Sequence, residues 1–291
     1  MFQGFERGRI AVDGVEIAYV AAGDGPPVLL LHGFPQTKAL WAQVAPRLAG
    51  GRRVICADLR GYGDSGKPQD DADHEAYSFR RMGADMHGLM AALGHDRYDL
   101  VGHDRGGRTA HRLALDQPQA VRSLTVMDIV PTLTVFDTAD ARLASVYWHW
   151  FFLSQPAPFP ERLIGGDPDF FFETCLAGWG SMALRDFDPA QLDDYRRCWR
   201  EAGTIHGACA DYRAAATIDL DHDRADLDRR VDCPTLVLYG AEGAMARLYD
   251  VPATWAPRCR DMRADAVPGG HFFVDLHPDR VAAALDAFLP A

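Results

Sequence analysis

The sequence predicts an α/β protein: a mostly parallel sheet, covered by helices on both faces, with an inserted helical cap. Short apolar runs alternate with helical patterns through residues 1–130, and continuously apolar strands are typical of a parallel sheet buried on both faces. The alternation gives way to helical and aromatic sequence over residues 131–230 and resumes over residues 231–291. We therefore expect residues 1–130 and 231–291 to form one core and residues 131–230 to form the cap.

The predicted elements follow one another along the chain. Two apolar runs, 10–12 and 17–20, flank Asp13-Gly14, a dipeptide that favours a two-residue turn, so the chain should open with a hairpin. Buried strands are predicted for 28–31, 54–57, 100–101, 124–127, 235–239 and 262–267. Helices are predicted for 38–48, 78–93, 105–116, 191–199 and 278–288. In an open parallel sheet the ligand site lies at the carboxyl ends of the strands, and the cap, which follows one such end, can cover it.

The chain has 291 residues, and 41 acidic against 30 basic side chains give it a formal net charge of -11. Nonspecific binding to nucleic acid or to an anionic membrane needs a basic face, so neither partner is expected. Taken alone, the charge also argues against an anionic substrate. No secretory signal is visible, and the apolar runs are far shorter than the roughly 20 residues of a membrane span. The six cysteines form no Cys-x-x-Cys pair, which predicts reduced thiols in a cytoplasmic protein and no metal site.

The most specific local pattern is Gly102-His103-Asp104-Arg105-Gly106, which lies where a predicted strand turns into a helix; we call this turn the elbow. Small residues on both sides of the central position are needed there because such a turn is strained and crowded. The usual central residue is serine, and here it is Asp104. Taken alone, the pattern also fits an aspartate that caps the following helix.

Other segments place this aspartate in a catalytic context. His32-Gly33-Phe34-Pro35 follows an earlier strand, Asp128 ends the strand after the elbow, and His271 precedes the last helix. The order Asp104, Asp128, His271 is the chain order of nucleophile, acid and base. Together with the segment 58–65, this constellation resembles the α/β-hydrolase superfamily over nearly the whole chain. The resemblance implies the α/β-hydrolase fold.

An aspartate nucleophile restricts the chemistry. A carboxylate that attacks an ester gives a mixed anhydride, an uphill product, so esterase, lipase and protease activities are disfavoured. Attack at saturated carbon opens an epoxide or displaces a halide and gives an alkyl-enzyme ester. His271 can then activate water to attack that ester, and the backbone N–H groups of Phe34 and Arg105 would hold the oxyanion. This route needs no cofactor and no metal.

Two arginines follow the candidate nucleophile. Arg105 and Arg108 are three residues apart on one helix face, where two guanidinium groups can grip a substrate carboxylate in bidentate geometry. The alternative is that one of them pairs with Asp104 or with the sheet edge. The net charge of -11 argued against an anionic substrate, and a pair of arginines in a capped cleft would reverse that inference. Their positive charge would dominate locally, because distant acidic groups are screened over about 8 Å at physiological salt.

The cap supplies further donors. His149 and Trp150 lie in the aromatic segment 147–152, and Tyr212 comes later in the cap. An imidazole N–H, an indole N–H and a phenol O–H can surround a small anion in a dry pocket. Aromatic residues in such an insertion are equally typical of hydrophobic core.

The elbow segment 103–108, the cap segment 147–150 and the cap segment 211–213 together resemble the fluoroacetate dehalogenases, also called haloacetate dehalogenases. The resemblance implies hydrolysis of small 2-haloacids, fluoroacetate giving glycolate and fluoride, through an aspartyl ester. It also implies a homodimer, and it places Trp179 among the cap aromatics, where packing explains that residue equally well.

The same resemblance implies a role for each candidate residue. The roles are nucleophile for Asp104, base for His271, orienting acid for Asp128, carboxylate binding for Arg105 and Arg108, and halide binding for His149, Trp150 and Tyr212.

The sequence leaves alternatives open. An epoxide hydrolase uses the same nucleophile and needs cap phenols, which Tyr212 and Tyr147 could supply, but paired arginines would have no purpose in it. A non-catalytic small-molecule receptor could use the same capped pocket, although such proteins often lose a triad member. Glu242 competes with Asp128 for the acid role, because it follows the strand 235–239, where many α/β-hydrolases carry that residue.

Overall fold

The computed structural model describes residues 1–178 and 182–290, and within them the centre of the molecule is an eight-stranded sheet. The strands are β1 Glu6–Val12, β2 Val15–Ala22, β3 Pro27–Leu31, β4 Arg53–Ala57, β5 Tyr98–His103, β6 Val121–Met127, β7 Thr235–Gly240 and β8 Met262–Val267. Their order across the sheet is β1-β2-β4-β3-β5-β6-β7-β8. The pairs β1–β2 and β2–β4 are antiparallel, and the other neighbouring pairs are parallel, so the predicted mostly parallel sheet is confirmed.

The opening hairpin turns at the predicted dipeptide. Val12 pairs with Val15, which leaves Asp13 and Gly14 as a two-residue turn. Both have positive φ, 47° and 81°, as a type I′ turn requires, and this turn matches the right-handed twist of the two strands.

Helices flank the sheet and fill the chain between β6 and β7. They are α1 Ala45–Leu48, α2 Phe79–Ala92, α3 Arg105–Asp116, α4 Thr132–Asp137, α5 Ala141–Val146, α6 Trp148–Leu153, α7 Phe159–Ile164, α8 Pro168–Gly178, α9 Pro189–Trp199, α10 Ala202–Ala216, α11 Ile218–Ala225, α12 Ala244–Leu248, α13 Val251–Trp255, α14 Phe273–Leu276 and α15 Pro278–Phe288. Turns of 3₁₀ helix cover Lys38–Ala42, Glu75–Tyr77, Leu184–Asp186 and Ala256–Arg258. None of the described helices combines the length and apolarity that crossing a membrane requires.

Strand residues alternate between two hydrophobic cores. In β3, Leu29 and Leu31 join the core that contains α2 and α3, whereas Val28 and Leu30 join the core that contains α1 and α15. All four side chains are fully buried. Burial on both faces explains why the central strands are continuously apolar in sequence.

One predicted helix is wrong in extent. The sequence pattern predicts a helix over 38–48, but the chain forms 3₁₀ helix over Lys38–Ala42 and a separate short helix, α1, at Ala45–Leu48. Pro46 explains the break, because it lacks an N–H and its ring clashes with a preceding helical turn. It is tolerated at the first turn of α1, where that N–H would have no partner within the helix.

Helices α6 and α10 lie against the residues that follow the carboxyl end of β3. Phe34, which follows β3, packs edge-on against Tyr212 of α10 at a ring-centroid distance of 5.2 Å. The same ring stacks on His149 of α6 at 5.9 Å. These contacts bring the helical segment onto the strand end where a parallel sheet places its ligand site.

Candidate active site

Asp104 lies in the sharp turn between β5 and α3. Its φ of 47° and ψ of -115° are strained for a residue other than glycine. A Cβ on Gly102 would lie 2.2 Å from the Gly106 carbonyl oxygen, and a Cβ on Gly106 would lie 2.4 Å from the His32 carbonyl oxygen. The flanking glycines are therefore required by close backbone contacts. Within the described structure the Asp104 side chain makes no capping hydrogen bond to α3, so it is available for another purpose.

The Asp104 carboxylate is buried and held by a backbone donor. Its Oδ2 accepts a hydrogen bond of 3.0 Å from the Phe34 N–H. Burial by itself raises the pKa of Asp104, but the positive charges of His271, Arg108 and Arg105 outweigh burial and hold the pKa below its usual range. The carboxylate is therefore ionised at neutral pH.

His271 and Asp128 form a buried hydrogen-bonded pair. His271 Nδ1 lies 2.7 Å from Asp128 Oδ2, and Asp128 Oδ1 accepts a hydrogen bond of 2.9 Å from the Gly240 N–H. Burial lowers the pKa of His271, but the hydrogen bond and charge of Asp128, together with the charge of Asp104, raise it above its usual range. Glu242 is exposed, so the two sequence candidates for the acid role differ sharply in position.

His103 hydrogen-bonds to the backbone of His271. Its Nε2 donates a hydrogen bond of 2.9 Å to the His271 carbonyl oxygen, and the two rings are 4.7 Å apart. Burial lowers the pKa of His103 to about 4, so its ring is neutral at physiological pH. In the sequence His103 is one residue of the pattern around Asp104, and that pattern gives no signal of this contact.

Arg105 is bound on one edge by the carboxylate of Asp211, which lies on α10. Its Nε donates to Asp211 Oδ2 at 2.8 Å, and its Nη2 donates to the Asp211 carbonyl oxygen at 2.9 Å and to Asp211 Oδ1. Arg105 Nη1 is buried and has no hydrogen-bond partner among the residues that the structure describes. Asp211 thus uses Nε and Nη2 of Arg105, and binding of a substrate carboxylate by Arg105, through the nitrogen that is left, stays a prediction.

Arg108 lies one helical turn further along α3. Its Nη1 donates to the Val130 carbonyl oxygen at 2.9 Å and to Thr132 Oγ1 at 3.0 Å, and the guanidinium lies 4.6 Å from the centre of the Trp150 ring. Its Nε is buried without a partner in the described part of the chain. Burial lowers the pKa of Arg108 to about 10, which leaves the side chain charged at neutral pH.

Helices α6 and α10 bring the three candidate halide donors together. The Tyr212 ring lies 5.6 Å from His149 and 5.8 Å from Trp150. Trp150 Nε1 is buried and lacks a hydrogen-bond partner within residues 1–178 and 182–290. Burial lowers the pKa of His149 and raises the pKa of Tyr212, so the first is neutral and the second protonated at physiological pH. Trp179, the other cap aromatic singled out in the sequence, lies outside the described residues.

The site therefore combines an ionised carboxylate, a histidine–aspartate pair, two guanidinium groups and a cluster of neutral donors. A buried donor without a protein partner is costly unless water or a ligand satisfies it, and three such donors belong to Arg105, Arg108 and Trp150. All three are suited to bind an anion. Among the described residues, no group of three or more His, Cys, Asp or Glu side chains could hold a metal ion.

Comparisons with known proteins show the family of the chain. A family model for the α/β-hydrolase fold matches residues 26–278. The chain is 54% identical to the fluoroacetate dehalogenase of Burkholderia sp, over 99% of this chain and 95% of that protein. It is 31% identical to the soluble epoxide hydrolase of Corynebacterium sp. (strain C12), over 96% of both chains. Among solved structures, a protein of the α/β-hydrolase fold from Nostoc sp PCC 7120 superposes with a TM-score of 0.97 at 45% identity, over 99% of both chains.

Proposed function

Because the chain belongs to the α/β-hydrolase family and, within it, to the family of fluoroacetate dehalogenase, we propose that it hydrolyses the carbon–halogen bond of small 2-haloacids, fluoroacetate first. The observation that carries this proposal is the position of Asp104. An ionised carboxylate lies at the elbow, beside the His271–Asp128 pair and close to two buried arginines. An aspartate at this position suits displacement at saturated carbon and disfavours ester hydrolysis.

In the first step, Asp104 displaces the halide. Asp104 Oδ2 is held by the Phe34 N–H, which leaves Oδ1 to attack the halogen-bearing carbon. A carbon–oxygen bond forms, the carbon–halogen bond breaks, and halide leaves with the bonding electron pair. Because the pKa of Asp104 lies below its usual range, no proton has to be removed from the nucleophile first.

The buried donors fix the substrate for this attack. Arg108 Nε and Arg105 Nη1 would bind the substrate carboxylate, since both carry positive charge and lie buried near Asp104. Trp150 Nε1, His149 and Tyr212 would surround the departing halide with neutral donors. Donors that strengthen as charge develops act on the transition state more than on the bound substrate, which matters most for a poor leaving group such as fluoride.

In the second step, His271 activates water against the ester. Alkylation removes the charge of Asp104, which is one of the charges that raise the pKa of His271. The imidazole is therefore more readily neutral in the ester and can accept a proton from water. Hydroxide adds to the carbonyl carbon of Asp104, and the Phe34 and Arg105 backbone N–H groups would hold the oxyanion. Collapse of this intermediate breaks the bond to the glycolate oxygen, which takes the proton from the imidazolium. Asp104 is left as a carboxylic acid, and it releases its proton to solvent because its pKa lies below the usual range.

Fluoride release tests the reaction directly. We expect the wild-type protein to release fluoride from fluoroacetate, as measured with a fluoride electrode, and the Asp104→Asn variant, checked for folding by circular dichroism, to release none. In a single turnover in heavy-oxygen water, the label should enter Asp104 before it enters the product. Label that appears first in glycolate would reject the aspartyl ester.

Epoxide hydrolysis is a second candidate function, which the cap phenols support. Tyr147 and Tyr212 are both buried and protonated, the Tyr147 ring lies 5.5 Å from His149, and the charge of Asp104 acts on both phenols. Two phenols are what protonation of an epoxide oxygen needs. Diol formation from styrene oxide without fluoride release from fluoroacetate would favour this function, and binding of either compound without turnover would favour a receptor.

We propose in addition that the protein is a cytoplasmic homodimer. The cap exposes Phe159, Leu163 and Phe170, with exposed fractions of 54%, 57% and 72%, and such apolar patches often mark protein interfaces. The free thiols of all six cysteines in the described chain suit a reducing compartment. Light scattering should give the mass of two chains for the wild type and of one chain for Leu163→Glu; a wild-type monomer would reject the dimer.

A further inference from the structure

We propose that Asp211, a buried carboxylate of cap helix α10, is a positioning residue for Arg105: it limits Arg105 to one substrate-facing nitrogen and holds α10 on the elbow. The inference rests on the proposed haloacid reaction, because it concerns how the substrate carboxylate is recognised. Both side chains are fully buried, and they join the cap to the residue that follows the candidate nucleophile.

The contacts leave Asp211 fully engaged. Arg105 donates to it from Nε and Nη2, and Tyr62 donates to its Oδ2 through a hydrogen bond of 2.6 Å. Three donors from two separate elements, α3 and the segment 58–65, thus converge on one cap carboxylate. A charge-assisted bidentate pair of this kind is strong and directional, so it fixes the orientation of the guanidinium.

The consequence is that each of the two arginines has one nitrogen left for the substrate carboxylate. A guanidinium offers a forked edge through Nε and one Nη, and Asp211 occupies that edge of Arg105. Arg105 Nη1 is the nitrogen that lacks a partner in the described structure, together with Nε of Arg108. The substrate carboxylate is then bound by single nitrogens of two arginines. If Asp211 were absent, Arg105 could turn its fork toward Asp104 or toward the substrate.

A backbone contact joins α10 to the segment 58–65. A Cβ built on Gly207 would lie 2.6 Å from the Gly61 Cα, so the two backbones touch where only glycine fits. Gly61 has a φ of 83°, which also favours glycine. Asp211 follows Gly207 by four residues and therefore lies on the same face of α10, one turn further on. The glycine contact thus places Asp211 on the face of α10 that is turned toward Tyr62 and Arg105.

This arrangement gives the segment 58–65 a purpose that its sequence does not reveal. Gly61 contacts the backbone of α10 at Gly207, and Tyr62 donates a hydrogen bond to Asp211 on the same helix. Tyr212, a candidate halide donor, is the next residue after Asp211, so the same contacts place the candidate carboxylate-binding and halide-binding groups next to each other.

The test compares a charged substrate with its uncharged analogue. Halide release is measured from bromoacetate and from bromoacetamide, with the Asp104→Asn rate subtracted. For Asp211→Asn we expect the KM for bromoacetate to rise about tenfold or more, because an amide cannot hold the guanidinium as a carboxylate does. The KM for bromoacetamide, which lacks the carboxylate, should change less than about twofold.

The Arg60–Asp85 pair provides a matched control. It is another buried bidentate pair, with contacts of 2.5 Å and 2.6 Å, and Arg60 belongs to the same segment, 58–65, but its partner lies in α2. Asp85→Asn should leave the ratio of the two KM values unchanged. The inference is overturned if Asp211→Asn leaves the KM for bromoacetate unchanged, shifts both substrates equally, or gives no larger effect than Asp85→Asn.

A milder variant keeps the inference testable if Asp211→Asn does not fold. Tyr62→Phe removes one hydrogen bond to Asp211 and should raise the KM for bromoacetate about threefold, with no change for bromoacetamide. An unchanged ratio in that folded variant overturns the inference. If the wild type releases no halide from any haloacetate, the proposed function fails instead, and this outcome is seen before any variant is made.

Discussion

His271 Nδ1 lies 2.7 Å from Asp128 Oδ2, and this contact between two buried groups determines which imidazole nitrogen can act as a base. A carboxylate accepts, so Nδ1 carries the proton of the neutral ring and Nε2 is the basic nitrogen. Asp128 is itself held by the Gly240 N–H, and His103 holds the His271 backbone. The base is therefore oriented by contacts from two other strand ends.

The first prediction concerns Asp128→Asn. An amide at this position no longer fixes the tautomer of His271, and in hydrolases with this pairing the corresponding loss in kcat is about 10⁴-fold. Alkylation of Asp104 does not use the base, so the alkyl-enzyme ester should accumulate. Intact-protein mass spectrometry after mixing with fluoroacetate should show one added carboxymethyl group. Glu242→Gln is the control, because this exposed side chain should leave kcat unchanged; the reverse pattern would make Glu242 the orienting acid.

The second prediction concerns the proton on His271. The negative charge of Asp104 is one of the causes that raise the pKa of this histidine. Asp104→Asn removes that charge, as ester formation does, and it keeps the size of the side chain. We expect the pKa of His271, followed by NMR of its ring protons, to be lower in Asp104→Asn than in the wild type. An equal or higher pKa would mean that alkylation does not prepare the base.

The third prediction concerns Trp150→Phe. The substitution keeps an aromatic ring beside Arg108 and removes the buried Nε1 donor. Loss of one donor to a developing anion typically costs about 10²-fold, and we expect that loss in kcat for fluoroacetate. Bromide leaves more easily, so the loss for bromoacetate should be less than about tenfold. Trp148→Phe, on the same helix and 37% exposed, should affect neither substrate. Equal losses for both halides would place Trp150 outside the halide subsite.

The fold and the centre of the site could be predicted because they depend on local pattern. A strand buried on both faces must be apolar throughout, and the glycines around Asp104 are required by backbone contacts within a few residues or with one neighbouring strand. His271 and Asp128 could be placed near Asp104 because the carboxyl ends of parallel strands meet at one edge of the sheet.

The pairing of Arg105 with Asp211 could not be predicted in the same way. The two residues are 106 positions apart, and their contact depends on how the helical segment settles on the strand ends. The contact between Gly61 and Gly207, which holds α10 in place, is even more remote in sequence. A pattern of residue types identifies both arginines as candidates, but it does not indicate which edge of each guanidinium is already used.

A buried carboxyl group four residues after His271 makes stability depend on pH. Asp275 Oδ2 accepts a hydrogen bond of 3.0 Å from Gln36 Nε2, which also lies 3.1 Å from the Tyr195 hydroxyl oxygen. Burial raises the pKa of Asp275 to about 7, an effect larger than the lowering by its hydrogen bonds and by the positive charge of His271. The folded protein therefore keeps a proton on Asp275 that the unfolded chain releases near pH 4.

The fourth prediction follows from this difference. Between pH 4 and pH 7 the folded state binds a proton on Asp275 that the unfolded state does not. The contribution of Asp275 to the free energy of unfolding therefore falls as the pH rises, and this fall is complete above pH 7. Asp275→Asn removes the titration. Its stability relative to the wild type should grow from pH 4 to pH 7, by on the order of 4 kcal/mol at most, and then stay constant. Urea unfolding at a series of pH values measures this. The exposed Asp286→Asn on α15 should show no such trend, and parallel curves for Asp275→Asn and the wild type would mean that Asp275 titrates alike in both states.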